Sequence, residues 1–266
     1  MVKQIQIKTT DHRPQTTDQK KSVFGLRSLV FGSLVLWFFS SLVLLLFVPL
    51  ANATDFTPIW SVNTTQLMVA LSFDDGPKPE ATEPILDILD RYGVRATFFV
   101  VGRECSLYPD LLFRIADAGH EIGSHTYAHR TLTEKNALEE LSKTNQIIKE
   151  ITGSPPNFLR APGGKYSSKV REIAESLGLR LVNWTVNGSD YVRLSSWFEL
   201  PDDYASLADE IIKEVDQEIR PGAILLFHKS PQTILALPRI IKNIQAKGYK
   251  MMTISQLLKE EGTERE

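Results

Sequence analysis

A chain of 266 residues, 42% of them hydrophobic, is long enough to bury one sizeable core and has no low-complexity stretch to divide it. Its formal charge of -2 is unevenly spread: six Lys or Arg face two Asp over Met1–Arg27, leaving -6 for the remainder, and a mildly acidic domain argues against nucleic acid as partner. The single cysteine, Cys105, excludes an internal disulfide and reads as a small packed side chain.

Residues 1–27, with Thr9, Thr10, Gln15, Thr16 and Thr17 among scattered charges, read as a disordered basic tail. Ser28–Leu50 then carries no charge and is rich in Leu, Val and Phe. Following Lys20, Lys21 and Arg27, it predicts a membrane anchor or a secretion signal over 28–53, with the basic side cytoplasmic. Pro49 and the small residues Ala51-Asn52-Ala53 resemble a signal-peptidase site, whereas the apolar stretch is longer than a usual signal core. Either outcome places everything after Ala53 outside the cytoplasm, retained on the membrane if uncleaved and secreted if cleaved. A linker is expected over 54–65, one globular domain over 66–260 and a polar tail over 261–266.

Within the domain, short apolar runs alternate with amphipathic periods. Strands are predicted at Met68–Phe73, Ala96–Val101, Glu121–Ser124, Asn157–Arg160, Arg180–Trp184, Ala223–Phe227 and Lys250–Thr253. Helical periods run through Ile85, Ile88, Leu89 and Tyr92, through Val170, Ile173, Ala174 and Leu177, and through Leu237, Ile240, Ile241 and Ile244. Gly93, Gly119, Gly153, Gly178 and Gly248 stand where helices should stop in left-handed caps. Such alternation means an α/β fold with a parallel sheet, open and doubly wound or closed as a barrel. A barrel of about seven strands is preferred, because polar residues cluster after several different strands.

Five groups carry those polar residues. Asp74-Asp75-Gly76-Pro77 ends the first strand, and it could be no more than a turn. His125 and His129 follow the third; with one Asp they could supply three ligands to a divalent ion and leave a position open, while the second Asp accepts a proton. Arg160-Ala161-Pro162-Gly163-Gly164 offers a cation that could orient a carboxylate, beside backbone a ligand can approach closely. Trp184 to Tyr191 encloses Asp190 between aromatics, which suit sugar rings or a plain core. His228 directly follows an apolar strand, a natural place for a general acid. Of the other histidines, His12 lies in the tail and His120 precedes its strand, where a structural hydrogen bond is expected.

In order and form, these groups resemble the polysaccharide deacetylase family, the NodB homology or carbohydrate esterase family 4 domain, over roughly Gln66–Leu258. The resemblance implies a distorted (β/α) barrel and removal of acetyl groups from N- or O-acetylated sugars. It makes Asp75, His125 and His129 the ligands of one divalent ion, zinc first, with Co2+, Mn2+ or Ni2+ as alternatives, and Asp74 the base. Arg160 would hold Asp74, and Asp190 would pair with His228 and favour its protonated form. His228 would protonate the leaving amine, and the Gly163 N–H would face the oxyanion. Tyr191 and Trp184 would contact substrate. The family often has a larger side chain at Gly163 and a Trp at Tyr191, so groove shape departs while the chemistry survives. Ser195–Pro201 reads as an insertion whose aromatics either line the groove or pin a loop.

The expected partner is an acetylated polysaccharide met by a monomeric catalytic domain. Outside the cytoplasm, peptidoglycan is the nearest such polymer, with chitin oligomers, xylan esters and exopolysaccharides as alternatives. A carbohydrate-binding protein that kept the barrel without catalysis, or a hydrolase of non-sugar amides, would belong to other classes. The complete set of seven polar residues speaks against lost catalysis.

Overall fold

A computed structural model describes residues 57–188 and 204–262, which belong to one compact unit, Phe56–Glu266. The expected tail and apolar segment, Asp190, Tyr191 and the Ser195–Pro201 insertion lie outside the described residues. Among the described residues no helix is long and apolar enough to cross a membrane.

Among the described residues eight strands form: β1 Met68–Gly76, β2 Thr97–Val100, β3 Glu121–Ser124, β4 Phe158–Leu159, β5 Arg180–Leu181, β6 Val186–Asn187, β7 Ile224–His228 and β8 Lys250–Met252. In the same described residues eight helices separate or follow them: α1 Pro79–Arg91, α2 Gly102–Leu107, α3 Pro109–Asp117, α4 Ala137–Thr152, α5 Ser168–Ser176, α6 Tyr204–Glu218, α7 Pro231–Ala246 and α8 Ile254–Leu258. All five glycines expected at helix ends have positive φ, between 63° and 83°. Short polar side chains cap the starts, Ser167 on α5 and Ser230 on α7, and Thr253 with Gln256 forms a capping box on α8.

The ladders between strands are parallel, in the path β5-β4-β3-β2-β1-β7-β6, with β8 beside the start of β1. Among the described residues no ladder joins β5 to β6, so the sheet is a half-barrel rather than a closed ring of about seven strands. The reason is connection length. Only Val182–Thr185 separates β5 from β6, too few residues for a parallel crossover. The two are successive parts of one extended stretch that pairs with β4 at its start and with β7 at its end. Ile59–Val62 spans the remaining gap, with Ile59 bridged to Val182 and Ser61 to Ala223.

Strand alternation sorts the core. Val69, Leu71 and Phe73 of β1 join Leu225 and Phe227 of β7 in the layer under α1, α3, α6 and α7. Met68 and Ala70 point the other way, into an inner cluster with Phe99, Phe158, Val182 and Ile224. Continuing that inner row along β1 gives Ser72 and Asp74, and along β7 gives Leu226 and His228. The inner face is thus apolar at its floor and polar at the carboxyl ends of the strands.

Candidate functional site

Two adjacent residues of a strand cannot both face inward while the backbone stays extended. Asp74 follows the inner row, so Asp75 should point away. It does not, because its φ is 74° and the β1–β2 register shifts between Asp74 and Gly76. This bulge-like break turns the second carboxylate back toward the site. Among the described residues, the non-glycine positions with positive φ are Asp75, Thr126 and His129, all in this site. Such strain collects where geometry is set by surrounding structure rather than by local preference.

His125 leaves β3 with its N–H donating to the Val100 carbonyl at 2.8 Å. Its Nδ1 lies 2.8 Å from the carbonyl oxygen of Arg160, which can only accept. Nδ1 therefore carries the proton, and Nε2 is left to face Asp75. His129 sits on the loop after β3, not on a helical turn. The two Nε2 atoms stand 3.3 and 3.0 Å from the same Asp75 oxygen, Oδ1. That oxygen is buried and makes no well-formed hydrogen bond. A buried carboxylate oxygen facing two imidazole nitrogens calls for positive charge among them. Burial pushes the Asp75 carboxyl up, but the close approach of the His125 and His129 imidazoles outweighs it and holds it well below the usual carboxylate range. With one donor atom from each residue, all within 4.8 Å of one another, the set fits a borderline divalent cation such as zinc.

Asp74 has different company. Arg160, on the residue after β4, is fully buried and donates Nη1 to Asp74 Oδ1 at 2.8 Å. The same Nη1 reaches Ser72 Oγ at 2.8 Å, while Nε and Nη2 donate to the carbonyls of Val182 and Asn183 at 3.3 and 3.1 Å. Ser72 passes the link on, donating to the Leu225 carbonyl at 2.6 Å. The guanidinium lies over the Phe99 ring at 4.1 Å. Burial lowers the Arg160 pKa and the Asp74 charge opposes it, yet a guanidinium stays protonated in proteins. Asp74 is therefore fixed in place with one oxygen held, and its Oδ2 lies 3.8 Å from His125 Nε2.

Asp74, His125, His129, Gly163, Trp184, Asn187, Leu226 and His228 line a cavity of about 250 Å³. Asp74 and His228 are register partners across β1 and β7, so a carboxylate and an imidazole stand side by side at the opening. Gly163, inside the 3-10 turn Pro162–Gly164, has φ 68°, and a Cβ built there meets nothing within 4 Å. Space is thus open where a side chain would stand, on the cavity that Gly163 helps to line. Trp184 rests against Gly164, where a Cβ would come within 3.0 Å of the indole. Ser72, Asn183, Asn187 and Leu226 were not singled out from the sequence. Ser72, Leu226 and Asn187 were nonetheless readable, lying two residues before Asp74, two before His228 and inside the Trp184–Tyr191 group.

The polysaccharide deacetylase family model matches residues 61–182, ending before β7. A peptidoglycan-N-acetylglucosamine deacetylase of Bacillus cereus is 34% identical over 197 residues, spanning 71% of this chain and 67% of that protein. A chitooligosaccharide deacetylase of Bradyrhizobium sp. is 30% identical over 229 residues, spanning 77% of this chain and 99% of that protein. The crystal structure of a CE4 family pseudoenzyme from Bacillus anthracis matches with a TM-score of 0.69 at 29% identity, over 79% of this chain and 73% of that one. By family match, identity and coverage, the chain belongs to the polysaccharide deacetylase family.

Proposed function

We propose that the chain is a metal-dependent hydrolase that removes acetyl groups from N-acetylated amino sugars of an extracytoplasmic polysaccharide, peptidoglycan first. The observation that carries this reading is the division of labour between neighbours. Asp75 shares one buried oxygen with two imidazoles, whereas Asp74 is held by Arg160 and stands in register beside His228.

Asp75, His125 and His129 would hold the ion. When bound, a divalent ion supplies Lewis acidity, bringing the pKa of a water it holds toward about 7 and drawing charge from the acetyl carbonyl. Asp74 takes one proton as the water oxygen bonds to the acyl carbon. Arg160 prevents that carboxylate from swinging out. The developing oxyanion lies toward the Gly163 backbone, the candidate N–H donor. His228 then gives a proton to the sugar nitrogen as the carbon–nitrogen bond breaks. Acetate and a free amine result. Trp184 offers the leaving sugar an apolar wall, with Tyr191 assigned the same task.

Peptidoglycan is favoured by the Bacillus cereus relative and by the apolar Ser28–Leu50 segment, which would carry the domain to the outer side of the membrane. The Bradyrhizobium relative keeps chitooligosaccharides as the second substrate class. Because a pseudoenzyme shares the fold, a non-catalytic carbohydrate-binding role is the reading of another class. Against it stands the intact set of Asp74, Asp75, His125, His129, Arg160 and His228. Acetate release from peptidoglycan and from acetylated chitooligosaccharides, with and without a chelator, tests both readings. Release that a chelator abolishes is expected; none from any acetylated glycan with metal supplied would end the enzymatic reading.

A further inference from the structure

The metal ligands sit on backbone that does not favour its own conformation, and something must hold it. Asp75 is left-handed, and so are Thr126 and His129 on the loop after β3. The backbone of each segment is hydrogen-bonded to a charged side chain from elsewhere in the fold, one donating and one accepting. Lys229, immediately after β7, donates Nζ to the Asp75 carbonyl at 2.6 Å. Glu140, on α4 and only 6% exposed, accepts from the Ala128 N–H at 2.7 Å. Ala128 lies between the two histidine ligands. Charged groups make the stronger hydrogen bonds to backbone, more so away from solvent.

We infer that Lys229 and Glu140 are positioning residues that brace the two left-handed segments and so set the geometry of Asp75, His125 and His129. Neither belongs to the five groups that carry the chemistry, and neither lines the cavity. Their placement is complementary. Lys229 ties the metal-bearing end of β1 to the end of β7, where His228 stands one residue earlier. Glu140 ties the histidine loop to α4, while the N–H groups of Gly102 and Arg103 at the start of α2 hold the carbonyls of Thr126 and Tyr127, each at 2.9 Å. The loop is thereby gripped from two helices, with Glu140 binding its backbone through a side chain and Lys143 of the same helix lying 3.6 Å over the Tyr127 ring. Without the Lys229 bond, Asp75 can relax toward extended backbone, and its carboxylate then turns away from the imidazoles.

The inference rests on the metal-site reading proposed above, and metal binding itself separates the two. Wild type, Lys229→Met, Glu140→Leu and Glu140→Gln are stripped with a chelator and titrated with Zn2+ against a competing indicator. Co2+-loaded samples are compared by visible absorption, and folding is checked by circular dichroism. Lys229→Met and Glu140→Leu should bind Zn2+ about 10- to 100-fold more weakly, as losses of supporting contacts around metal ligands do, and should shift the Co2+ bands. Glu140→Gln keeps an oxygen that accepts from Ala128 and should stay close to wild type. Folded Lys229→Met and Glu140→Leu with wild-type affinity and bands would overturn the brace alone. A wild type that takes up no metal would overturn the site reading and the brace with it. Should Glu140→Leu fail to fold, Lys229→Met decides.

Discussion

Arg160 donates to Asp74 at 2.8 Å with the arginine wholly buried and the aspartate 3% exposed. Removing one partner of such a pair strands the other charge, at a cost of about 3–5 kcal/mol. Arg160→Met should therefore lower unfolding free energy by about that amount in urea titrations. Asp74→Asn leaves an oxygen for the guanidinium, so its stability loss should be clearly smaller. It should keep its metal yet lose about 100-fold or more in turnover, because an amide cannot take the proton from water. Metal content and acetate release, measured on the same sample, check the pair of expectations; near-full turnover would remove Asp74 from the role of base.

His228 lines the same cavity as Asp74, and the proposed reaction gives it the leaving group. A sugar amine needs a proton to depart, whereas the phenolate of an aryl acetate does not. His228→Ala should accordingly reduce amide hydrolysis by about 100-fold and aryl ester hydrolysis far less. Comparing kcat on an acetylated chitooligosaccharide and on an aryl acetate reads this directly, and equal losses would count against the acid role.

The predicted strands are all present within a residue or a few at their ends, because parallel strands buried on both faces appear as apolar runs. Val186–Asn187 carries no strand signal of its own, since two residues make no run and their pairing depends on β7. At the site, polar residues directly after apolar runs were legible as a class. What alternation could not reveal is that Asp75 turns inward, which needs a left-handed backbone held by other elements. Nor could it reveal Ser72, which meets Arg160 across 88 positions of sequence, or Lys229 and Glu140, whose partners are backbone atoms of distant segments. The His125–His129 spacing admitted a helical turn or a loop, and only tertiary contacts select the loop.

His120 plays the structural part its position suggested. Its Nδ1 accepts from the Ala96 N–H at 3.2 Å, and its ring meets Phe98 edge-on at 5.2 Å. Burial, helped by the charge of Arg95 and opposed by Asp90, lowers its pKa from 6.5 to about 4. The folded protein thus holds this imidazole neutral where the unfolded chain would protonate it. Stability from this group is complete above the unfolded value of 6.5 and is lost as pH falls toward about 4. Between about pH 7 and about pH 4.5 the loss is about 2 kcal/mol. His120→Gln, which retains an acceptor but does not titrate, should show a correspondingly shallower fall in urea-unfolding free energy over that range. An identical fall in both proteins would show that His120 does not drive it.

Gly222 tests whether the segment that spans the sheet opening matters to stability. It has φ 74°, and a Cβ there would overlap the Val62 carbonyl, while its own carbonyl accepts from the Val62 N–H at 2.9 Å. Alanine at this position must bear both a left-handed backbone, about 1–2 kcal/mol, and the displacement of Ile59–Val62, roughly 1–3 kcal/mol more. The control is Gly153, which ends α4 with φ 83° and has nothing within 4 Å of a built Cβ. Gly153→Ala carries the backbone cost alone. Urea midpoints should therefore fall further for Gly222→Ala than for Gly153→Ala, with unchanged slopes if both unfold in one step. Equal shifts would mean that Ile59–Val62 can move aside freely, so that the half-barrel does not depend on it.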